Sequence, residues 1–163
     1  MSKIIMNKIK FLNCLLLSLC LLVFLSVSCS KPKVDRDMDK LYEQLESNIQ
    51  FSEKMKLMVD ERIESTLDIS EDLYENAIGY YTASGASVDI VLILEAKNQK
   101  ALKSIDEKID FYLQQQQKAF ESYVPTEIPK LTSAVRENDG RYYVLVVSGD
   151  NQRAGQIVKE WLK

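Results

Sequence analysis

Apolar residues follow three different rhythms along the chain. Between Phe11 and Val27 they form an almost unbroken run, interrupted only by Asn13, Ser18 and Ser26. Two later stretches repeat every three or four residues: Met38, Leu41, Tyr42, Leu45 and Ile49, then Leu102, Ile105, Ile109, Tyr112, Leu113 and Phe120. That spacing places them on one face of a helix. Two short runs, Ile90 to Leu94 and Val144 to Val147, are apolar at every position. Such runs suit strands buried on both sides.

From these rhythms the spacing predicts a helix over Asp37 to Gln50, an ambiguous stretch from Phe51 to Val59, and a short helical turn over Asp60 to Leu67. Ser70 is placed to cap another turn through Leu73 and Tyr74. Strands are predicted over Ala77 to Ala83 and Val88 to Ala96, joined by a turn at Ser84-Gly85. The helix over Asn98 to Tyr123 is the strongest, with Pro125 just beyond its end. Pro129 to Thr132 reads as a connector. Ala134 to Glu137 and Arg141 to Ser148 read as a hairpin turning through Asn138-Asp139-Gly140. Asp150 is placed to cap a last helix, with Ala154, Ile157, Val158, Trp161 and Leu162 on its inner face.

The expected fold class is α+β. Four strands form one antiparallel sheet in the order 1-2-4-3, in a ββα-ββα core preceded by N-terminal helices. The doubly apolar strands lie in its centre, and the long helix and the last helix cover one face. The two halves also match at an offset of 53 residues: Val91 to Leu94 aligns with Val144 to Val147, Asn98 to Ala101 with Asn151 to Ala154, and Ile105 and Ile109 with Val158 and Leu162. Two readings are open, an ancient ββα duplication or two units obeying the same packing rules.

The first rhythm is of another kind. Lys3, Lys8 and Lys10 precede it, no acidic residue interrupts it, and Ser26-Val27-Ser28-Cys29 closes it. A basic stretch, an apolar stretch and small residues are the parts of a secretory signal. Ser28 directly before Cys29 points further, to a bacterial lipoprotein signal whose cysteine thiol is acylated. Ser26 stands where leucine is usual, so an uncleaved anchor and soluble secretion stay open. The expected organisation is a signal peptide over 1–28, a lipidated N-terminus and tether over 29–38, and one domain over 39–163. Two acyl chains on Cys29 suffice for stable attachment to a lipid bilayer. The expected location is the extracytoplasmic face of a bacterial membrane.

Composition then narrows the chemistry. The signal holds three of the 21 basic residues and none of the 24 acidic ones, so the rest of the chain carries a net charge of −6. That argues against a nucleic-acid partner. Histidine is absent, and once Cys29 is lipidated no thiol remains in the domain. Ser-His-Asp catalysis, Cys-His catalysis and His- or Cys-based metal sites are thereby removed. No catalytic residue, metal or cofactor is assigned.

Three surfaces are candidates for binding. Tyr80, Tyr81, Ser84 and Ser87 flank a turn and could hold a sugar or peptide, although turn chemistry and packed rings also explain them. Asn98 and Lys100, with Asn151 and Arg153, stand at helix starts and form a candidate anion site, although ordinary capping by Asn98 and Asp150 also explains these helix starts. Gln115 and Gln116, within the run Gln114 to Gln117, could line a polar groove or partner surface, or simply a solvated flank. Glu71 and Asp72 are adjacent and point apart, which makes a poor acid/base pair.

The segment Tyr80 to Ile90, the helix end Gln116 to Pro125 and the terminal Gly140 to Ser148 together resemble the domain of unknown function 4358 family. Its members look like small bacterial lipoproteins. The resemblance covers roughly Asp60 to Leu162, with Asp89 where members often carry glutamate. It implies an α+β fold and an envelope location, and it implies no activity. The leading expectation is a membrane-tethered binding or assembly module of the cell envelope, with envelope proteins or glycans as partners. The alternative is a carboxylate-dependent hydrolase acting on envelope glycans or peptides.

Overall fold

The computed structural model describes residues 35–163. The signal, Cys29 and most of the expected tether lie outside the described residues. Among the described residues, no helix is long and apolar enough to cross a membrane.

The chain opens with helix α1 (Met38–Asn48), started by Asp37, whose carboxylate accepts the amide of Lys40 at 3.0 Å. Strand β1 (Lys56–Leu57) and helix α2 (Asp60–Leu67) follow. A short 3-10 turn (Glu71–Leu73) leads into β2 (Tyr74–Tyr81) and then β3 (Ile90–Ala96). Helix α3 (Gln99–Tyr123) spans 25 residues. A second 3-10 turn (Pro125–Glu127) and helix α4 (Ile128–Thr132) occupy the expected connector. Strands β4 (Val135–Asp139) and β5 (Tyr142–Val147) precede α5 (Asn151–Leu162).

All five strands form one antiparallel sheet in the order β1-β2-β3-β5-β4. The expectation of four strands is corrected: β1 adds a fifth outside β2, so the strand order also differs from 1-2-4-3. The ambiguous stretch after α1 hides β1 because only two residues pair, and both are exposed. Gly79 makes room for it. A Cβ there would lie 2.9 Å from Cβ of Met58, whose amide donates to the Gly79 carbonyl at 2.7 Å. Strand β2 starts three residues earlier than expected, because Glu75 bulges between Tyr74 and Asn76 and keeps the pairing going. The β4–β5 turn is Gly140-Arg141, with Gly140 at φ 61°.

Strands β3 and β5 lie inside the sheet, and every residue in both is buried. Two faces of such strands need two covers. On one face Ile90, Leu92, Leu94, Tyr143, Leu145 and Val147 pack under α2 and α3 through Ile63, Leu67, Ile105 and Ile109. On the other, Val91, Ile93, Val144 and Val146 pack under α1 and α5 through Leu41, Leu45, Ala154, Ile157 and Val158. The long helix and the last helix therefore lie on opposite faces, which corrects the expectation that they share one.

This arrangement also weighs on the internal repeat. Leu92 pairs directly with Leu145, so an offset of 53 corresponds to a twofold axis perpendicular to the sheet between them. Such an axis preserves faces and would put α3 and α5 on the same side. The strands obey it and the helices do not. The match reflects two strand-to-helix junctions built under the same packing rules.

Candidate functional site

Within the segment counted above as tether, Arg36 and Met38 are partly buried against the domain. Arg36 donates to the carbonyls of Trp161 and Leu162 at 2.6 Å each and to Asp139 at 2.9 Å. Its amide donates to the Tyr142 hydroxyl at 3.0 Å, and its guanidinium lies over the rings of Tyr142 and Trp161. The guanidinium thus closes the carboxyl end of α5, where open carbonyls favour a cation. Glu95, beside it in a depression of about 450 Å3, pairs with Arg141 and accepts from Asn76 at 2.7 Å.

A second ionic cluster joins the far end of the sheet. Lys130 Nζ donates to Asp89 at 2.9 Å, to Glu127 at 2.9 Å and to the Ser52 hydroxyl at 2.7 Å. The Asp89 side chain is fully buried, and its other oxygen accepts the Ser52 amide at 2.6 Å. Burial would lower Lys130, but the bonds and charges of Glu127 and Asp89 outweigh it and raise the amine above its ordinary value. All three ammonium protons are occupied, so this cluster is a brace rather than a proton-transfer centre.

The sequence-predicted candidates divide among several places. Tyr80 stacks on Tyr42, with ring centroids 3.6 Å apart, and Tyr81 lies under the Arg62 guanidinium at 4.9 Å. Ser84 bonds Glu53 and accepts the Ala86 amide, while Ser87 accepts the Asp89 amide at 3.2 Å. Turn and packing geometry thus occupies these four residues.

The proposed anion residues are split between two ends of the sheet. Antiparallel β3 and β5 deliver α3 and α5 to opposite ends, about 20 Å apart over six residue pairs. Asn98 caps α3 by accepting the Ala101 amide at 2.9 Å. Lys100 is exposed on the first turn of α3. Asn151 is buried, accepting from Ser148 and donating to the Lys130 carbonyl and Ser133. Arg153 reaches Gln156 on its own helix. Asp150 caps α5 as expected, accepting the Arg153 amide at 3.0 Å.

The glutamine run points to a more shaped surface. Gln115 is exposed and Gln116 half-buried, but the residues that line depressions are their neighbours Gln114 and Gln117. One depression, of about 490 Å3, is lined by Asp106, Glu107, Asp110, Phe111, Gln114 and Arg136. It meets a smaller one, of about 230 Å3, at Gln114. That second depression continues past Gln117 and Lys118 to Ile128. Together they form a trough along α3, about 22 Å from Asp106 to Glu121 at the rise of a helix. An extended segment of about six or seven residues has that length.

Arg136 shapes the wall. It lies on the edge strand β4, opposite Leu145, and so points to the α3 side of the sheet. Its nitrogens donate to Asp106 and Asp110 at 2.7 Å each, and to the Tyr143 hydroxyl at 3.3 Å. Tyr143 in turn donates to Asp106 at 2.8 Å. Burial alone would raise Asp106, but hydrogen bonds from Arg136 and Tyr143, with the guanidinium charge, hold its carboxyl below the usual carboxylate value. Asp106 is therefore ionised at neutral pH and cannot serve there as a general acid. Phe111 stands beside this bridge with 62% of its surface exposed.

Asp106, Asp110, Phe111 and Arg136 escaped the reading of the sequence. One signal was available: Phe111 lies two residues from Ile109, on the opposite side of α3 from the apolar stripe. A large apolar residue on the polar face of a strong helix marks a surface. Arg136 gave no such signal, because its contact depends on which face α3 covers. Among the described residues, no group of three or more Cys, Asp or Glu side chains is placed to hold a metal ion.

These features define a small α+β domain with a peptide-sized trough on its surface. The family model for a domain of unknown function (DUF4358) matches residues 47–148, and the chain belongs to that family. The matched segment contains every strand, α2 and α3, and ends before α5. No curated protein and no solved structure matches the chain.

Proposed function

We propose that this protein is a membrane-anchored lipoprotein of the bacterial cell envelope that acts as a binding or assembly module. Its anchor is an acylated Cys29, and its docking surface is the trough along α3, which takes an extended polypeptide segment. The observation that carries the binding reading is Phe111, exposed on a polar helix face at the wide end of a trough of peptide length. Gln114 and Gln117 are among its lining residues and offer amide donors and acceptors, the groups that pair with a peptide backbone. Asp106 and Asp110 are pinned by Arg136, and Gln114 also reaches Asp110, so this pair is committed to the wall of the trough and does not support the hydrolase reading.

A photo-crosslinking residue tests the surface when placed at Gln114, or at Lys159 on the opposite side of the sheet, in the full chain within the producing cells. The Gln114 position should give a discrete adduct that is lost on Phe111→Ala. Equal labelling from both positions, or none from Gln114, defeats the reading. For the anchor, Cys29→Ala should abolish incorporation of a fatty-acid probe, and unchanged incorporation defeats that assignment.

A further inference from the structure

The wide end of the trough is chemically lopsided. Three carboxylates, Asp106, Glu107 and Asp110, face a single guanidinium, that of Arg136. Each Arg136 nitrogen already donates within the domain, to Asp106, Asp110 and Tyr143. An incoming anion would meet committed donors and surplus negative charge. An incoming cation would meet the reverse. Asp106 Oδ2 accepts no hydrogen bond from the described residues, and the Asp106 side chain is 47% exposed. Glu107 has only a long, solvent-exposed contact to Lys103 at 3.8 Å.

Phe111 completes the environment. Phe111 is 62% exposed and lines the same depression as those carboxylates, and an aromatic ring attracts a cation to its face. Elsewhere the domain covers such rings with its own guanidinium groups: Arg36 lies over Tyr142 and Trp161, and Arg62 over Tyr81. No cation of the described chain covers the Phe111 ring in that way. We propose that the Phe111 end of the trough selects a lysine or arginine side chain on the extended segment that docks there. The ammonium or guanidinium sits over Phe111, between Asp106 and Glu107, while its aliphatic stem lies along the groove. The inference rests on the trough being a docking surface, and it adds the sign of the charge the partner must bring.

The test is an amide-shift titration of the full chain in detergent micelles with three blocked amino acids: Nα-acetyl-lysine methylamide, its norleucine counterpart and its glutamate counterpart. The lysine probe should saturate shifts clustered at residues 106–114 and at Arg136. Norleucine, which has the stem without the charge, should bind roughly fivefold more weakly, the size of one exposed cation–ring contact with one ion pair. Glutamate should bind more weakly still. Phe111→Ala should erase the lysine cluster, and Phe111→Leu, which keeps apolar bulk but removes the ring, should weaken it. Equal binding of lysine and norleucine, tighter binding of glutamate, no clustered lysine shifts, or a lysine response unchanged by Phe111→Ala would each overturn the proposal. A Gln114 adduct that persists alongside any of these results would leave the docking reading standing and remove only the cation preference. Loss of the adduct would remove the docking reading itself.

Discussion

The two faces of the sheet are closed in different ways. The face under α3 is covered by helices that sit between strands in the chain, so short connections hold them in place. The face under α1 and α5 is covered by segments from the two ends of the domain, residues 38–48 and 151–162. Those segments need their own fastenings. Arg36 ties the start of α1 to the end of α5, and the Lys130 brace ties Ser52, just after α1, to β3 and α4. The family match covers the first face almost whole and stops before α5. The difference separates a core that the chain's order enforces from a cover that side-chain chemistry must hold.

The largest expected effect comes from the brace. Lys130→Met leaves the fully buried Asp89 carboxylate without its cation, which costs about 3–5 kcal/mol when a buried pair is broken. Adding Asp89→Asn removes the stranded charge and should restore part of the loss. Urea unfolding measures both. A double variant no more stable than Lys130→Met would show that the pair is not what holds this end.

Next come paired truncations of the two faces. Ile105 and Leu45 are both fully buried, so Ile105→Ala and Leu45→Ala should each cost about 2–5 kcal/mol. Their hydrogen-exchange patterns should differ. Leu45→Ala should release amides of α1 and α5 while the α3 side stays protected, and Ile105→Ala should lower protection throughout the sheet. Identical patterns would collapse the distinction between the faces.

Arg36→Ala should have a smaller effect, about 2 kcal/mol. It removes two hydrogen bonds to carbonyls, while its partner Asp139 is 46% exposed and finds water instead. Faster exchange in the last turn of α5 and a shift in Trp161 fluorescence would report it.

How much of this was legible before the structure depends on what each feature rests upon. The α1, α3 and α5 periodicities and the doubly apolar β3 and β5 are local patterns, and each led to the right element. Strand β1 was not legible, since two exposed residues carry no alternation and its place follows from the missing side chain of Gly79. The faces taken by α3 and α5 were not legible either, because doubly apolar strands accept cover from both sides. Arg36 sits among alternating charges from Lys33 to Lys40, where nothing marks it out from a solvated tether. Gln114 to Gln117 lie on the helix that borders the depressions, but which of them line those depressions depends on where α4 and β4 pass.

Acid titration sharpens the contrast at the trough. The folded-state pKa of Asp106 lies below its ordinary value. Its contribution to stability is therefore present above the unfolded pKa of about 4 and is lost as pH falls through the folded value. Asp106→Asn should flatten the acid side of the stability profile while leaving the neutral-to-alkaline side parallel to wild type. An unchanged acid limb in urea unfolding below pH of about 4 would refute the pairing.

The smallest expected effect on stability is at Phe111, and its smallness is informative. With most of the ring in water, Phe111→Ala should change unfolding by no more than about 0.5 kcal/mol. The structural residues around it behave otherwise: Ile109 and Leu113, two positions away on either side, are buried in the core under α3. A residue that costs almost nothing to remove, yet whose removal erases the Gln114 adduct, is held for contact with something outside the domain. A loss of stability comparable to Ile105→Ala would place Phe111 with the core, and the trough would then be a by-product of packing along α3.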